Sequence, residues 1–162
     1  MLSAVAVPTT SLHNMDLMLP QNPETVGRIV YIDPQHTHPS IFTSTKSTQR
    51  TLYNDARKRV GLGPLPAPSD AHVDVLLHSS DGLVLETSIR NIAFRRGDVW
   101  VTPRASTGCL PGVMRRLLLE RGVLVEGDIK VEDIGLGEVV LTFNSVEGCW
   151  LAKVAVFVAV FS

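Results

Sequence analysis

Lysine is scarce in this chain of 162 residues, which has only Lys46, Lys58, Lys130 and Lys153. Cysteine is scarcer: Cys109 and Cys149 form neither a metal-binding spacing nor a disulfide framework, so a reducing compartment is the expectation. Neither sign of charge predominates, with 15 basic and 16 acidic residues, scattered, and a net charge of −1. That balance excludes a basic nucleic-acid binder. No apolar run reaches the roughly twenty residues of a membrane helix. The terminal "VAVFVAVFS" falls well short of that length and reads as a buried closing strand. The opening "MLSAVAVPTT" is too short and too broken by proline for a signal peptide. The expectation is a soluble, cytoplasmic chain without membrane or nucleic-acid partners. "GLGPL" and "GLGE" are not dinucleotide loops, because no G-x-G-x-x-G opens a helix. His36 and His38 find no third ligand in the sequence, so no metal site is expected.

What is present suits one globular domain with its own core, at 44% hydrophobic residues. Residues 1–27 carry Pro8, Pro20 and Pro23 without periodicity and read as an irregular leader ahead of a domain over 28–162. "RIVYID" alternates as a strand does. From Ser47 or Thr48 to Val60 the pattern is helical, with Leu52, Ala56 and Val60 on one stripe and Gly61 as the stop. Short strands follow in "HVDVLLH", "LVLETS", "RNIAF" and "VWVTP", with hairpin signals at Asp81-Gly82 and Gly97-Asp98. "LPGVMRRLLLERG" is a second helix between Pro111 and Gly122. "DIKVEDIGLGE" reads as a short strand and one helical turn, and "EVVLTFNS" and "WLAKVAVFVAV" as closing strands. The fold class is α+β, with a mostly antiparallel sheet and two main helices.

In order, "TKSTQR", "LETSIRNIAF", "VWVTP", "GCLPGVMRR" and "GEVVLTFNS" form a pattern. It resembles the class IV pyridoxal-phosphate enzymes, and within them the 4-amino-4-deoxychorismate lyases of fungal type more than the aminotransferases. Arg50, four residues past Lys46, and the run Val113-Met114-Arg115 favour the lyase branch. The resemblance implies the large C-terminal domain of the D-amino-acid-aminotransferase-like fold, and pyridoxal 5′-phosphate as cofactor. It makes Lys46 the catalytic lysine that holds the cofactor and moves the proton, a role that needs a partly desolvated amine at an element's end. Read by itself, Lys46 is a solvated loop lysine. Glu86 would stand beside the ring nitrogen, where a carboxylate sustains the electron sink; alone, it is a surface glutamate on an edge strand. The amides of Val113 and Met114 would take the phosphate at a helix start, with Gly112 allowing close approach. The same residues would also make an ordinary cap. Asn144 or Ser145 would supply a second phosphate contact, Arg50 a substrate contact, and Asn91 orders the turn near Glu86. Arg115 and Arg116 read as solvating the second helix.

The sequence also departs from the family. The smaller N-terminal domain usual ahead of the lysine finds no counterpart before Lys46, Gln49 replaces an asparagine, and Thr87 stands where glycine is common. Three functions stay open: a lyase acting on a small molecule, releasing pyruvate and 4-aminobenzoate for folate; a class IV aminotransferase; or a non-catalytic truncated domain serving interaction. A homodimer with the active site near its interface is the family-level expectation.

Overall fold

The computed structural model describes residues 19–20, 26–38, 46–65 and 72–159, with backbone alone at 46–50. The chain runs β1 (Arg28–Ile32), α1 (Lys46–Arg59), β2 (Val73–His78), β3 (Val84–Thr87), β4 (Asn91–Arg96), β5 (Val99–Pro103), α2 (Val113–Glu120), β6 (Leu124–Gly127), β7 (Val139–Asn144) and β8 (Gly148–Ala155). Single 3-10 turns lie at Ala105–Thr107 and Val131–Asp133.

All eight strands join one sheet in the order β3-β2-β1-β8-β7-β4-β5-β6. The hairpins marked by Gly82 and Gly97 pair antiparallel, as do β4 with β7 and β7 with β8. β1 instead pairs parallel with both β2 and β8, and β5 pairs parallel with β6. The sheet is therefore mixed, with antiparallel pairs in a narrow majority. It also curls: Leu83 bridges Lys130, and the Val84 amide donates to the Ile129 carbonyl at 2.8 Å, so β3 meets the segment beyond β6.

Alternation along the strands divides the core between the two faces. The concave face buries Val30, Leu76, Ile92, Phe94, Val140 and Val154. The other face carries both helices. α1 lays Ala56 and Val60 over Val75, Leu77 and Leu85. α2 lays Leu118 over Ala93, Leu141 and Phe143. Phe94 and Phe143 are fully buried, each stabilising the fold by about 1.5–3 kcal/mol. Gly61 and Gly122 end the helices with φ of 74° and 71°. Behind each, the next amide reaches back to a carbonyl of the last turn: Leu62 to Arg57 at 2.8 Å, and Val123 to Leu118 at 2.9 Å. That pairing satisfies helix-end carbonyls and needs a left-handed residue, which glycine supplies. Arg59 clamps the end of α1 to the end of β1 by a two-pronged contact with Asp33, at 2.7 and 2.6 Å.

Three expectations need correction. α1 spans Lys46–Arg59, beginning one residue before the earliest expected start. The closing strand stops at Ala155, and Val156 and Val158 beyond it are exposed, at 53% and 74%; Phe157 between them turns back, packing edge-on to Tyr31 at 5.5 Å. The segment read as strand and helical turn at 128–138 keeps only the 3-10 turn and the isolated bridge, while the strand lies earlier, at β6.

Candidate active site

The turn from β3 into β4 is built around a buried acid. Asp74 of β2, 2% exposed, accepts from the Thr87 hydroxyl at 2.7 Å, the Ser88 hydroxyl at 2.6 Å, the Ser88 amide at 3.1 Å and Arg90 Nη1 at 3.1 Å. A buried carboxylate is tolerated only when its lone pairs are used in this way. Arg90 extends the network, its Nε donating to Glu147 in the β7–β8 turn at 2.7 Å. Two loops distant in sequence are thus fixed to one another.

Glu86 closes β3. It pairs with Leu77, whose side chain lies beneath α1, so its carboxylate emerges on the helix-bearing face. It is 4% exposed, and both oxygens have partners. The Tyr53 hydroxyl of α1 donates to Oε1 at 2.6 Å, and the Leu110 amide donates to Oε2 at 3.2 Å. Burial pushes the Glu86 carboxyl up to about 7, against the pull of these two donors. The Tyr53 phenol is held well above its ordinary value, first by burial and then by the charge of Glu86, so it stays a donor.

The loop carrying Leu110 is itself braced. Asn91 Nδ2 donates to the Leu110 carbonyl at 2.8 Å, as does the Gly112 amide at 2.9 Å. Asn91 therefore orders the turn that serves Glu86. Gly112 then caps α2 with extended dihedrals, φ −60° and ψ 155°, and no side-chain cap. The first amides of α2, at Val113, Met114 and Arg115, have no intrahelical acceptor. A cavity of about 220 Å³ opens here, lined among others by Tyr53, Glu86, Gly112, Met114, Asn144 and Ser145. Val113, 66% exposed, is the first residue of the helix beside it.

Asn144 and Ser145 differ in what they have left to offer. The Asn144 side-chain oxygen accepts from the Val146 and Glu147 amides at 3.0 and 2.7 Å. Its nitrogen donates to the Ile89 carbonyl and to Glu147, at 3.3 and 3.2 Å. That exhausts an amide side chain. Asn144 is a structural residue of the turn, and Ser145 presents the exposed side chain.

Lys46 is the first residue of α1 and Arg50 lies one turn on; their side chains fall outside the described residues. Their backbone positions share the helical stripe of Tyr53, at i−7 and i−3. Arg115 is not solvated: it is 4% exposed, its Nη2 donating to the Pro103 carbonyl at 2.9 Å and pairing with Glu126. The neighbouring Arg116 is exposed. Cys109, 4% exposed, is a poor nucleophile because burial raises its thiol. Among the described residues no three His, Cys, Asp or Glu gather as a metal site, and no helix is long and apolar enough to cross a membrane. Sequence reasoning missed Tyr53, Asp74 and Glu147. For Tyr53 a signal existed, its place two turns along from Lys46.

The chain matches the family model for amino-transferase class IV over residues 6–154. It is 38% identical over 136 residues to the aminodeoxychorismate lyase of Saccharomyces cerevisiae, which covers 77% of this chain and 36% of that protein. Among solved structures, it superposes on 4-amino-4-deoxychorismate lyase from Pseudomonas aeruginosa with a TM-score of 0.59 and 24% identity, covering 83% of this chain and 51% of that one. It superposes also on the branched-chain amino acid aminotransferase of Escherichia coli, with a TM-score of 0.57 and 16% identity, covering 79% and 44%. The chain thus spans about a third to a half of these relatives. The fold is that of the class IV enzymes, α+β with two helices on a curled sheet.

Proposed function

The chain belongs to the class IV aminotransferase family, and from that premise we propose that its cavity takes pyridoxal 5′-phosphate for an aminodeoxychorismate lyase reaction. The products would be 4-aminobenzoate and pyruvate. One observation carries the reading: a buried carboxylate, Glu86, and an uncapped glycine-led helix start border the same cavity. A pyridinium and a phosphate are opposite in charge, and these two features suit one each.

The donor set fits the group. Glu86 would hold a proton on the ring nitrogen, where the cation offsets the burial that otherwise raises its carboxyl. The Val113 and Met114 amides would hold the phosphate, helped by the helix dipole. Ser145 would add a hydroxyl from the β7–β8 turn, the Asn144 side chain being spent. When bound, the cofactor supplies an electron sink for the bond broken in the substrate. Lys46 is assigned the amine that anchors the cofactor and moves the proton at Nζ, and Arg50 a substrate contact. Tyr53 and Met114 line the cavity beside the carboxylate, where closing off water would strengthen its hold on a ring cation.

Incubation with pyridoxal 5′-phosphate, borohydride reduction and peptide mapping test the assignment. Label on Lys46 is expected, and label confined to Lys58, Lys130 or Lys153 overturns it. Product analysis separates the reactions. Release of 4-aminobenzoate supports the lyase, and amino transfer to a keto acid supports the aminotransferase, the reading that the shared fold also allows. Lysine labelling without either leaves a cofactor-holding domain.

A further inference from the structure

Tyr53 lies outside the five stretches that carry the resemblance, yet it meets the acid at the centre of the site. The two residues are 33 positions apart, and the phenol donates to Glu86 Oε1 at 2.6 Å. That length falls in the range of a hydroxyl bonded to an ionised carboxylate. The ring packs against the cluster of Ala56, Val60, Val75, Leu77 and Leu85, so the hydroxyl is presented by a fixed side chain. Tyr53 also stands on the α1 stripe that begins at Lys46.

We propose that Tyr53 is a positioning residue: it fixes the orientation and charge state of Glu86 toward a ring N–H in the cavity and ties that acid to the helix that starts at Lys46. The proposal rests on the reading that Glu86 faces the cofactor ring. Among the described residues, four groups bear on Glu86. Tyr53 donates from α1, and the Leu110 amide donates from the loop before α2. The Asp74 carboxylate of β2 opposes its ionisation, while the Cys109 thiol is itself raised by the charge of Glu86. With desolvation the largest influence and the carboxyl already at about 7, removal of one of two donors leaves the charged form undersupported. The consequence is proton uptake at higher pH and a carboxylate free to turn.

The sign follows from linkage. The folded carboxyl sits above its ordinary 4.5, so its contribution to stability is complete below 4.5 and is lost as pH rises to about 7. Thermal melts of the cofactor-free chain from pH 4 to 9 should show that decline in the wild type. The decline should extend at least one pH unit higher in Tyr53→Phe, and be absent in Glu86→Gln. Coincident wild-type and Tyr53→Phe profiles overturn the proposal. In a parallel titration with pyridoxal 5′-phosphate, Tyr53→Phe should weaken binding about tenfold at pH 7. If the melts shift as expected and the wild type binds no cofactor, the coupling survives and the cofactor role of the pair is overturned. Should Tyr53→Phe fail to fold, 3-fluorotyrosine incorporation keeps the ring. Its more acidic phenol should move the Glu86 midpoint, followed by NMR of labelled glutamate, to lower pH, and an unmoved midpoint overturns the coupling.

Discussion

A methyl group on Gly112 would stand 2.6 Å from the side-chain oxygen of Asn91, the residue that holds the Leu110 carbonyl. No Cβ fits there without displacing Asn91, and Leu110 follows because its carbonyl is bonded to Asn91 and its amide to Glu86. Gly112→Ala is therefore expected to cost about 1–3 kcal/mol of stability. It should also weaken cofactor binding, since the Leu110 donor leaves Glu86. Urea unfolding and a fluorescence titration with pyridoxal 5′-phosphate measure the two effects.

Val113 occupies the first position of α2 and follows an extended Gly112. Proline is compatible with both conditions, because that helical position needs no intrahelical donor. Val113→Pro should delete one amide while leaving the melting temperature nearly unchanged. If that amide holds phosphate, affinity for pyridoxal 5′-phosphate falls about tenfold or more, and affinity for unphosphorylated pyridoxal does not change. Equal losses for both ligands would count against the assigned contact.

The two ion pairs Arg90–Asp74 and Arg104–Asp128 have similar lengths, 3.1 and 3.2 Å, but opposite environments. Both side chains of the first are 2% exposed, whereas those of the second are 51% and 58% exposed. Arg90→Ala leaves Asp74 buried with its charge unmatched and should cost about 3–5 kcal/mol. Arg104→Ala should stay within about 0.5 kcal/mol. Denaturant midpoints at low and high salt distinguish them, the exposed pair being the salt-sensitive one.

Glu126 is held below the usual carboxylate range, first by its hydrogen bond from Arg115 and then by the Ala105 amide. Its folded value lies below the unfolded one, so its contribution is present above the ordinary carboxylate pKa and is lost as pH falls through the folded value. The wild type should thus lose more stability than Glu126→Gln between pH 5 and pH 3, as read by melting temperature. Above pH 6 the substitution should lower stability, because buried Arg115 loses its counter-charge.

Local chemistry wrote part of this molecule plainly into the sequence. Gly61 and Gly122 mark both helix ends, and Gly82 and Gly97 mark hairpins. Glu86, Met114, Asn144 and Ser145, which the family resemblance singles out, line one cavity. β6 escaped because a four-residue strand, "LVEG", half exposed, carries no alternation to read. The tail "VAVFV" misleads because apolar composition does not reveal where pairing ends, here at Tyr31 beside Ala155. Arg115 reads as a surface charge, since nothing near it in sequence announces the Pro103 carbonyl and Glu126 that it meets. Tyr53 and Glu86 meet only through the packing of α1 on the sheet, which local pattern does not encode.

β1 lies between β2 and β8, and its residue Ile29 stands beside Lys153 at nearly the far end of the described chain. Contacts of such long sequence separation are the slowest to form. During synthesis the two halves of the sheet, β3-β2-β1 and β7-β4-β5-β6, meet only where β3 touches the segment beyond β6, and their second seam is lacking until β8 emerges between β1 and β7. A nascent chain released or stalled before residue 148 would expose two open edges at once, those of β1 and β7. Such edges recruit other strands, so incomplete chains of this protein should be prone to aggregation and dependent on chaperones.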